Sequence, residues 1–257
     1  MVAGMSRESA FHSAIVPRPV SKPIAAWLWP AAVVLAVASG LLLFDAEWKI
    51  LAAALAAHTL LSVWVAGLRR RHAAPFGPAS QVTLVRAGLV AVLAVALMQP
   101  EWFRAHAWLM AALALSVLIL DGVDGWLARR RAETSTFGAR FDMEVDAALI
   151  AVLCLALAIT GKAGFWVLAI GLMRYAFVGA AWIWPWLDAP LPPSFRRKLV
   201  CVWQVAALLV CLTPLVGAAT TTPILGSALV LLAASFAIDV AWLQRRAADS
   251  QSQKETS

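Results

Sequence analysis

The sequence predicts an all-α membrane protein that crosses the bilayer several times. Hydrophobic residues make up 62% of the 257 residues and charged residues only 14%, and the mean hydropathy is +0.81. These values are far from the averages of soluble domains. A helix needs roughly 20 apolar residues to cross a bilayer core. We identify eight such runs, at about 25–44, 50–68, 82–99, 107–127, 143–161, 163–187, 199–218 and 222–243.

The runs divide into an N-terminal hairpin and a larger core. The first two runs and a basic linker containing Pro75, Gly77 and Pro78 form the segment 25–78, and such Pro/Gly stretches mark boundaries between elements. The remaining six runs are expected to form a six-helix core over 79–246. Residues 1–24 are polar and are read as a cytoplasmic tail, and the polar residues 247–257 are expected to be disordered.

The distribution of basic residues predicts the topology. With a cytoplasmic N-terminus and one crossing for each run, 17 of the 21 Lys and Arg residues fall on the cytoplasmic side, Arg86 among them, and three fall outside. An excess of this kind is typical of cytoplasmic loops. The net charge of +7 therefore indicates topology and contact with anionic lipid headgroups, and not nucleic acid. We expect an inner (cytoplasmic) membrane protein.

Acidic residues are concentrated in one short segment. Asp121 and Asp124 are three residues apart and Asp142 and Asp146 four apart, so each pair shares one face of a helix. A polar connection between the two helices lets them return antiparallel. The four carboxylates are then expected to converge at the cytoplasmic ends of two spans. Carboxylates are costly in a membrane, and a cluster of them predicts a functional site.

The chemistry of that cluster favours a divalent cation. Unpaired carboxylates repel one another, and oxygen ligands suit Mg²⁺ or Mn²⁺, with Ca²⁺ as a competitor. Gly125 directly follows Asp124 and leaves room for a ligand to approach the main chain, while Gly138 allows close helix approach. Glu144 lies off the face of the neighbouring aspartates and is left out of the metal set.

These residues resemble the signature of the CDP-alcohol phosphatidyltransferases at every fixed position. The matching string comprises Asp121, Asp124, Gly125, Ala128, Arg129, Gly138, Asp142 and Asp146. Two further segments resemble that family. Residues 80–86 are similar to its N-x-I-T-L-x-R element, with Ser80 in place of Asn. Residues 196–204 are similar to its G-K-x-x-T-x-x-Q element, with Arg197 and Cys201 in place of Gly and Thr. The resemblance covers about 80–245.

The resemblance implies a reaction and a role for each residue. A phosphatidyl group would pass from CDP-diacylglycerol to an alcohol, with release of CMP. Asp121, Asp124, Asp142 and Asp146 would bind two Mg²⁺ or Mn²⁺ ions, and Asp146 would also act as general base. The nucleotide pocket would be shaped by Gly125, Ala128, Arg129, Gly138 and Thr83. Homodimers are common in families of this kind, and no residue here identifies one.

The acceptor alcohol is less specified than the reaction. Arg174 lies inside an apolar run and needs a partner there. It is either a counter-ion for one aspartate or, together with Arg197 and Lys198, part of a cationic pocket for glycerol 3-phosphate. Glycerol 3-phosphate is the expected acceptor, with inositol phosphate, inositol and serine as alternatives. An intramembrane prenyltransferase and a cation-coupled transporter are the competing functions.

Overall fold

The structure is a computed structural model that describes residues 25–72, 77–131 and 136–255. These residues form nine α-helices, with no strand among them. The helices are α1 (Ala25–Leu41), α2 (Trp48–His72), α3 (Pro78–Ala96), α4 (Pro100–Ala105), α5 (Ala107–Arg131), α6 (Thr136–Ile159), α7 (Leu168–Ile183), α8 (Phe195–Leu212) and α9 (Ala218–Glu255). Short 3₁₀ turns follow α1 and α7 and precede α7. The predicted all-α class is confirmed.

Six stretches of helix in the described residues are long and apolar enough to cross a membrane. They are Trp27–Phe44, Trp48–Arg69, Pro78–Ala96, Ala107–Leu127, Phe165–Ile183 and Ala218–Ala247. The predicted runs 143–161 and 199–218 correspond to α6 and α8, which begin with charged turns. Their uncharged remainders are shorter than the roughly 20 residues that a crossing needs. A multi-pass membrane protein is confirmed, but the prediction of eight spans is not.

Helix α3 is the central element of the bundle. It packs against α1 and α2 on one side and against α5 and α6 on the other. Most of its residues are buried, including a continuous stretch from Thr83 to Val90. The helix begins four residues before the predicted apolar run, because Pro78 occupies its first turn after the extended Gly77. Proline is favoured there since its missing N–H would have no helical partner.

At the end of the core away from the aspartates, a lysine bonds the C-terminal carbonyls of α8. Lys162, between α6 and α7, donates hydrogen bonds to the last carbonyls of α8, at 3.0 Å to Cys211 and 3.3 Å to Leu212, and also to Thr213. Carbonyls at a helix C-terminus lack helical donors, and a lysine satisfies them. Burial lowers the pKa of this ammonium group.

The C-terminal end of the chain is helical, whereas the N-terminal end lies outside the described residues. The predicted cytoplasmic tail 1–24 lies outside the described residues. At the other end, α9 continues to Glu255, so the predicted disordered tail 247–257 is helical up to that residue.

Candidate active site

A buried arginine holds the acidic cluster together. Arg86, in the third turn of α3, is 0% exposed. Its guanidinium lies between the C-terminal part of α5 and the N-terminal part of α6 and contacts four carboxylates. Nη2 is 2.8 Å from Asp121 and also contacts Asp146, while Nη1 is 2.7 Å from Asp124 and 2.5 Å from Asp142. The four predicted aspartates therefore converge, but around a cation supplied by the chain itself.

Arg86 lies inside the helix bundle. The prediction that it is one of the basic residues on the cytoplasmic side is therefore wrong. A buried guanidinium is costly unless it is paired, and here carboxylates from two other helices pair with it. Arg86 therefore belongs to the site and contributes nothing to the positive-inside pattern.

Asp124 differs from the other three carboxylates in its surroundings. Its side chain is 4% exposed, and the same oxygen, Oδ2, accepts hydrogen bonds from Arg86 at 2.7 Å and from Thr83 Oγ1 at 3.0 Å. Thr83 precedes Arg86 by three residues, so both side chains lie on one face of α3. Thr83 Oγ1 also lies 3.1 Å from the backbone carbonyl oxygen of Ala79. Because a hydroxyl has only one hydrogen to donate, Asp124 and this carbonyl compete for it.

The remaining three carboxylates form a group suited to a cation. Asp121, Asp142 and Asp146 each offer an oxygen within 4.8 Å of the others, and their side chains are 36%, 38% and 47% exposed. The closest contact from Arg86 is to a single oxygen of each. Carboxylate oxygens from these three residues form an all-oxygen donor set, which fits Mg²⁺ or Mn²⁺. Glu144 is not a member of this group.

A cavity of about 280 Å³ lies beside the cluster, between α6, α7, α8 and α9. Ala147, the residue after Asp146, is in its wall. Arg174 and Arg197 supply positive charge to it, and Cys201 and Gln204 line it from α8. Lys198, predicted to join these arginines, is exposed and lies outside the lining.

The cationic residues of this cavity are paired with acids that the sequence analysis did not assign to them. Arg174 Nη2 is 2.6 Å from Glu144, so its partner is not one of the four aspartates. The Nε of Arg174 is buried and has no hydrogen-bond partner. Asp239 lies 2.6 Å from Arg196 and 3.4 Å from Arg197.

The family model described as CDP-alcohol phosphatidyltransferase matches residues 77–240 of the chain. This is well over half of the sequence and contains the acidic cluster and the cavity. The chain belongs to this family. Searches of the curated proteins and of the solved structures gave no match.

Membership makes the protein a phosphotransferase of phospholipid synthesis. CDP-alcohol phosphatidyltransferases transfer a phosphatidyl group from a CDP-alcohol to an acceptor alcohol and are typically dependent on divalent metal ions. Family membership argues against the two alternative functions, an intramembrane prenyltransferase and a cation-coupled transporter. The matched region starts at residue 77, so α1 and α2 lie outside it.

The remaining signature residues of the phosphatidyltransferase are only partly described. Gly125 on α5 and Gly138 on α6 are half-buried near the cluster. The side chains of Ala128 and Arg129 lie outside the described residues. Thr83 was expected in the nucleotide pocket, and its hydroxyl is directed at Asp124. Thr83 is therefore placed to hold the Asp124 carboxylate and does not face an open nucleotide pocket.

Local signals in the sequence predict the role of one charged residue at this site, Arg86, but not the pairing of two others. Arg86 is a lone cation in an apolar run, and an intramembrane cation requires a partner. The proline at the start of α3 indicates that the helix begins early enough to bury this residue. Glu144 and Arg174 are on neighbouring helices, and no spacing rule joins them. Their pairing follows from how α6 and α7 pack.

Proposed function

We propose that the protein transfers the phosphatidyl group of CDP-diacylglycerol to glycerol 3-phosphate and releases CMP. The observation that carries this proposal is a cavity that adjoins the carboxylate cluster and is lined by two arginines and by Asp239. Arg174 and Arg197 line that cavity, and guanidinium groups recognise phosphate through several directed N–H donors. The buried Nε of Arg174 has no partner and is a donor that an acceptor phosphate would satisfy.

The carboxylates divide into binding and proton transfer. Asp121, Asp142 and Asp146 would supply oxygens to divalent cations, and Asp124 would add the oxygen that Thr83 and Arg86 do not use. Bound divalent cations neutralise charge on a transferring phosphoryl group and stabilise the leaving oxygen. Both Mg²⁺ and Mn²⁺ suit these ligands, and we propose two ions.

Asp146 is proposed as the general base. Its side chain is 47% exposed, the most accessible of the four, and the next residue lines the acceptor cavity. It would take the proton from the acceptor hydroxyl as that oxygen bonds to the lipid-side phosphorus. The bond from this phosphorus to the oxygen bridging to CMP then breaks, and CMP departs. A base placed within hydrogen-bond reach contributes roughly 10²–10⁴-fold to the rate.

We propose that the nucleotide lies over Gly125, Gly138 and the neighbouring Ala128 and Arg129. Glycines let a ligand approach the main chain closely, and Gly125 directly follows a carboxylate that contacts Arg86. The same arrangement suits the cytoplasmic face of the inner membrane, because basic residues at helix ends predict that orientation. Soluble CMP would leave into the cytoplasm while the acyl chains stay in the bilayer.

An acceptor screen tests this function. Purified protein in detergent is given CDP-diacylglycerol and Mg²⁺, and CMP release is measured with glycerol 3-phosphate, inositol phosphate, inositol and serine in parallel. We expect glycerol 3-phosphate to give the fastest release and EDTA to abolish it. Faster release with another acceptor would replace the proposed alcohol. No release with any of the four would contradict the proposed donor and acceptor class.

A further inference from the structure

The N-terminal hairpin contacts the core at a glycine of α3. Helices α1 and α2 both pack on α3, although they lie outside the matched region 77–240. A Cβ atom at Gly88 would lie 2.4 Å from Cγ2 of Val34 on α1 and 2.7 Å from Nδ1 of His58 on α2. Gly88 therefore forms a notch that the two hairpin side chains fill.

Neither neighbour has room to move away from this notch. Val34 is 0% exposed, and a β-branched side chain on a helix has one strongly preferred rotamer. His58 is 4% exposed, and its Nδ1 has no hydrogen-bond partner. His58 Nδ1 therefore fills space at this contact and makes no hydrogen bond there. The distance between hairpin and α3 is thus set by tight packing, which tolerates little change in volume.

The notch and the acidic cluster lie at one level on opposite faces of α3. Gly88 follows Arg86 by two residues, which is a rotation of about 200° around the helix. One face of α3 therefore meets Val34 and His58 while the other directs Arg86 at the carboxylates. A second contact ties the start of α3 to the hairpin, because Trp29 Nε1 donates to Gln81 at 2.5 Å.

We propose that the hairpin is a positioning element for the active site. Val34 and His58 act through Gly88 to hold α3 at the distance where Arg86 and Thr83 keep the four carboxylates converged. A displacement of α3 away from the hairpin would carry Arg86 toward the carboxylates and change the spacing of their oxygens. The link to turnover rests on the proposed function, whereas the effect on divalent-cation binding is independent of the acceptor.

The test compares Gly88→Ala with Gly67→Ala. A Cβ at Gly67, on α2, meets nothing within 4 Å, so the control adds the same methyl group in open space. We measure Mn²⁺ affinity by electron paramagnetic resonance and the kinetics of CMP release. Misplacement by about 1 Å can cost on the order of 100-fold. Gly88→Ala should weaken Mn²⁺ binding and lower kcat by about 10- to 100-fold while the KM of the acceptor stays unchanged. Gly67→Ala should match the wild type.

A compensating variant separates positioning from general damage. Gly88→Ala combined with Val34→Ala and His58→Ala restores space at the notch and should recover most of the Mn²⁺ affinity. Unchanged Mn²⁺ affinity in a folded Gly88→Ala protein would overturn the proposal, and so would a combined variant as impaired as the single one. If Gly88→Ala does not fold, Val34→Ala/His58→Ala is used alone, and wild-type Mn²⁺ affinity in that protein overturns the proposal. Absence of CMP release in the wild type would reject the proposed function and leave the Mn²⁺ comparison valid.

Discussion

Replacing Arg86 by methionine removes the cation from the centre of the acidic cluster. Methionine keeps much of the side-chain length and lacks the charge. Of the four carboxylates that Arg86 contacts, three are more than a third exposed, so water screens their loss. Asp124 is 4% exposed and would stay buried without its cation. Removing one partner of a buried ion pair costs about 3–5 kcal/mol, and we assign that whole loss to Asp124.

The prediction is measured by thermal unfolding in EDTA and in Mg²⁺. A loss of about 3–5 kcal/mol corresponds to a fall of roughly 6–20 °C in Tm for a chain of this size. Mg²⁺ should raise the Tm of Arg86→Met more than that of the wild type, because a bound cation then replaces the missing charge. Lys49→Met is the control, since Lys49 is exposed and pairs with the exposed Glu47. A wild-type Tm for Arg86→Met in EDTA would refute the assignment of Arg86 as counter-ion.

Three further predictions concern Asp146 in the acidic cluster, Arg174 in the cavity beside it and Lys162 at the opposite end of the core. Asp146→Asn should lower kcat for CMP release by about 100-fold or more even at saturating Mn²⁺, which offsets the loss of a charged ligand; an active variant would remove Asp146 as base. Arg174→Ala should raise the KM of glycerol 3-phosphate about tenfold, as loss of a charged hydrogen bond implies, and Glu144→Gln should not raise it. An unchanged KM in Arg174→Ala would exclude this arginine from acceptor binding. Lys162→Met should cost about 1 kcal/mol of stability with kcat unchanged, as unfolding and CMP assays would show.

The acidic residues were predictable because their spacing is local. Asp121 with Asp124 and Asp142 with Asp146 repeat at helical intervals, and such pairs share a face whatever surrounds them. The polar connection between the two helices also indicated that the second returns antiparallel to the first. The structure brings the four carboxylates onto one guanidinium. The short-range pattern therefore predicts which aspartates share a helix face, while the meeting of the two pairs also depends on α3, which packs against both helices.

The partners of the cations were not predictable in the same way. Arg174 meets Glu144 across 30 residues and Arg196 meets Asp239 across 43, so each pairing depends on how separate helices pack. A cation inside an apolar run signals that a partner exists without naming it. For Arg86 the partners lie on two helices, and α3 must be held between them and the hairpin. In the proposed arrangement, Val34 and His58 set this position by packing against Gly88. A single glycine in the sequence does not predict such a contact.

The charge of the cluster bears on how many divalent cations it holds. Four ionised carboxylates and one guanidinium leave a formal charge of −3 at the site. One divalent cation reduces this to −1, which still repels the diphosphate of a CDP-lipid, whereas two bring it to +1 and favour that diphosphate. We therefore expect two Mn²⁺ per chain when CDP-diacylglycerol is bound, counted by electron paramagnetic resonance. A count of one at saturation would contradict both this charge argument and the proposal of two ions.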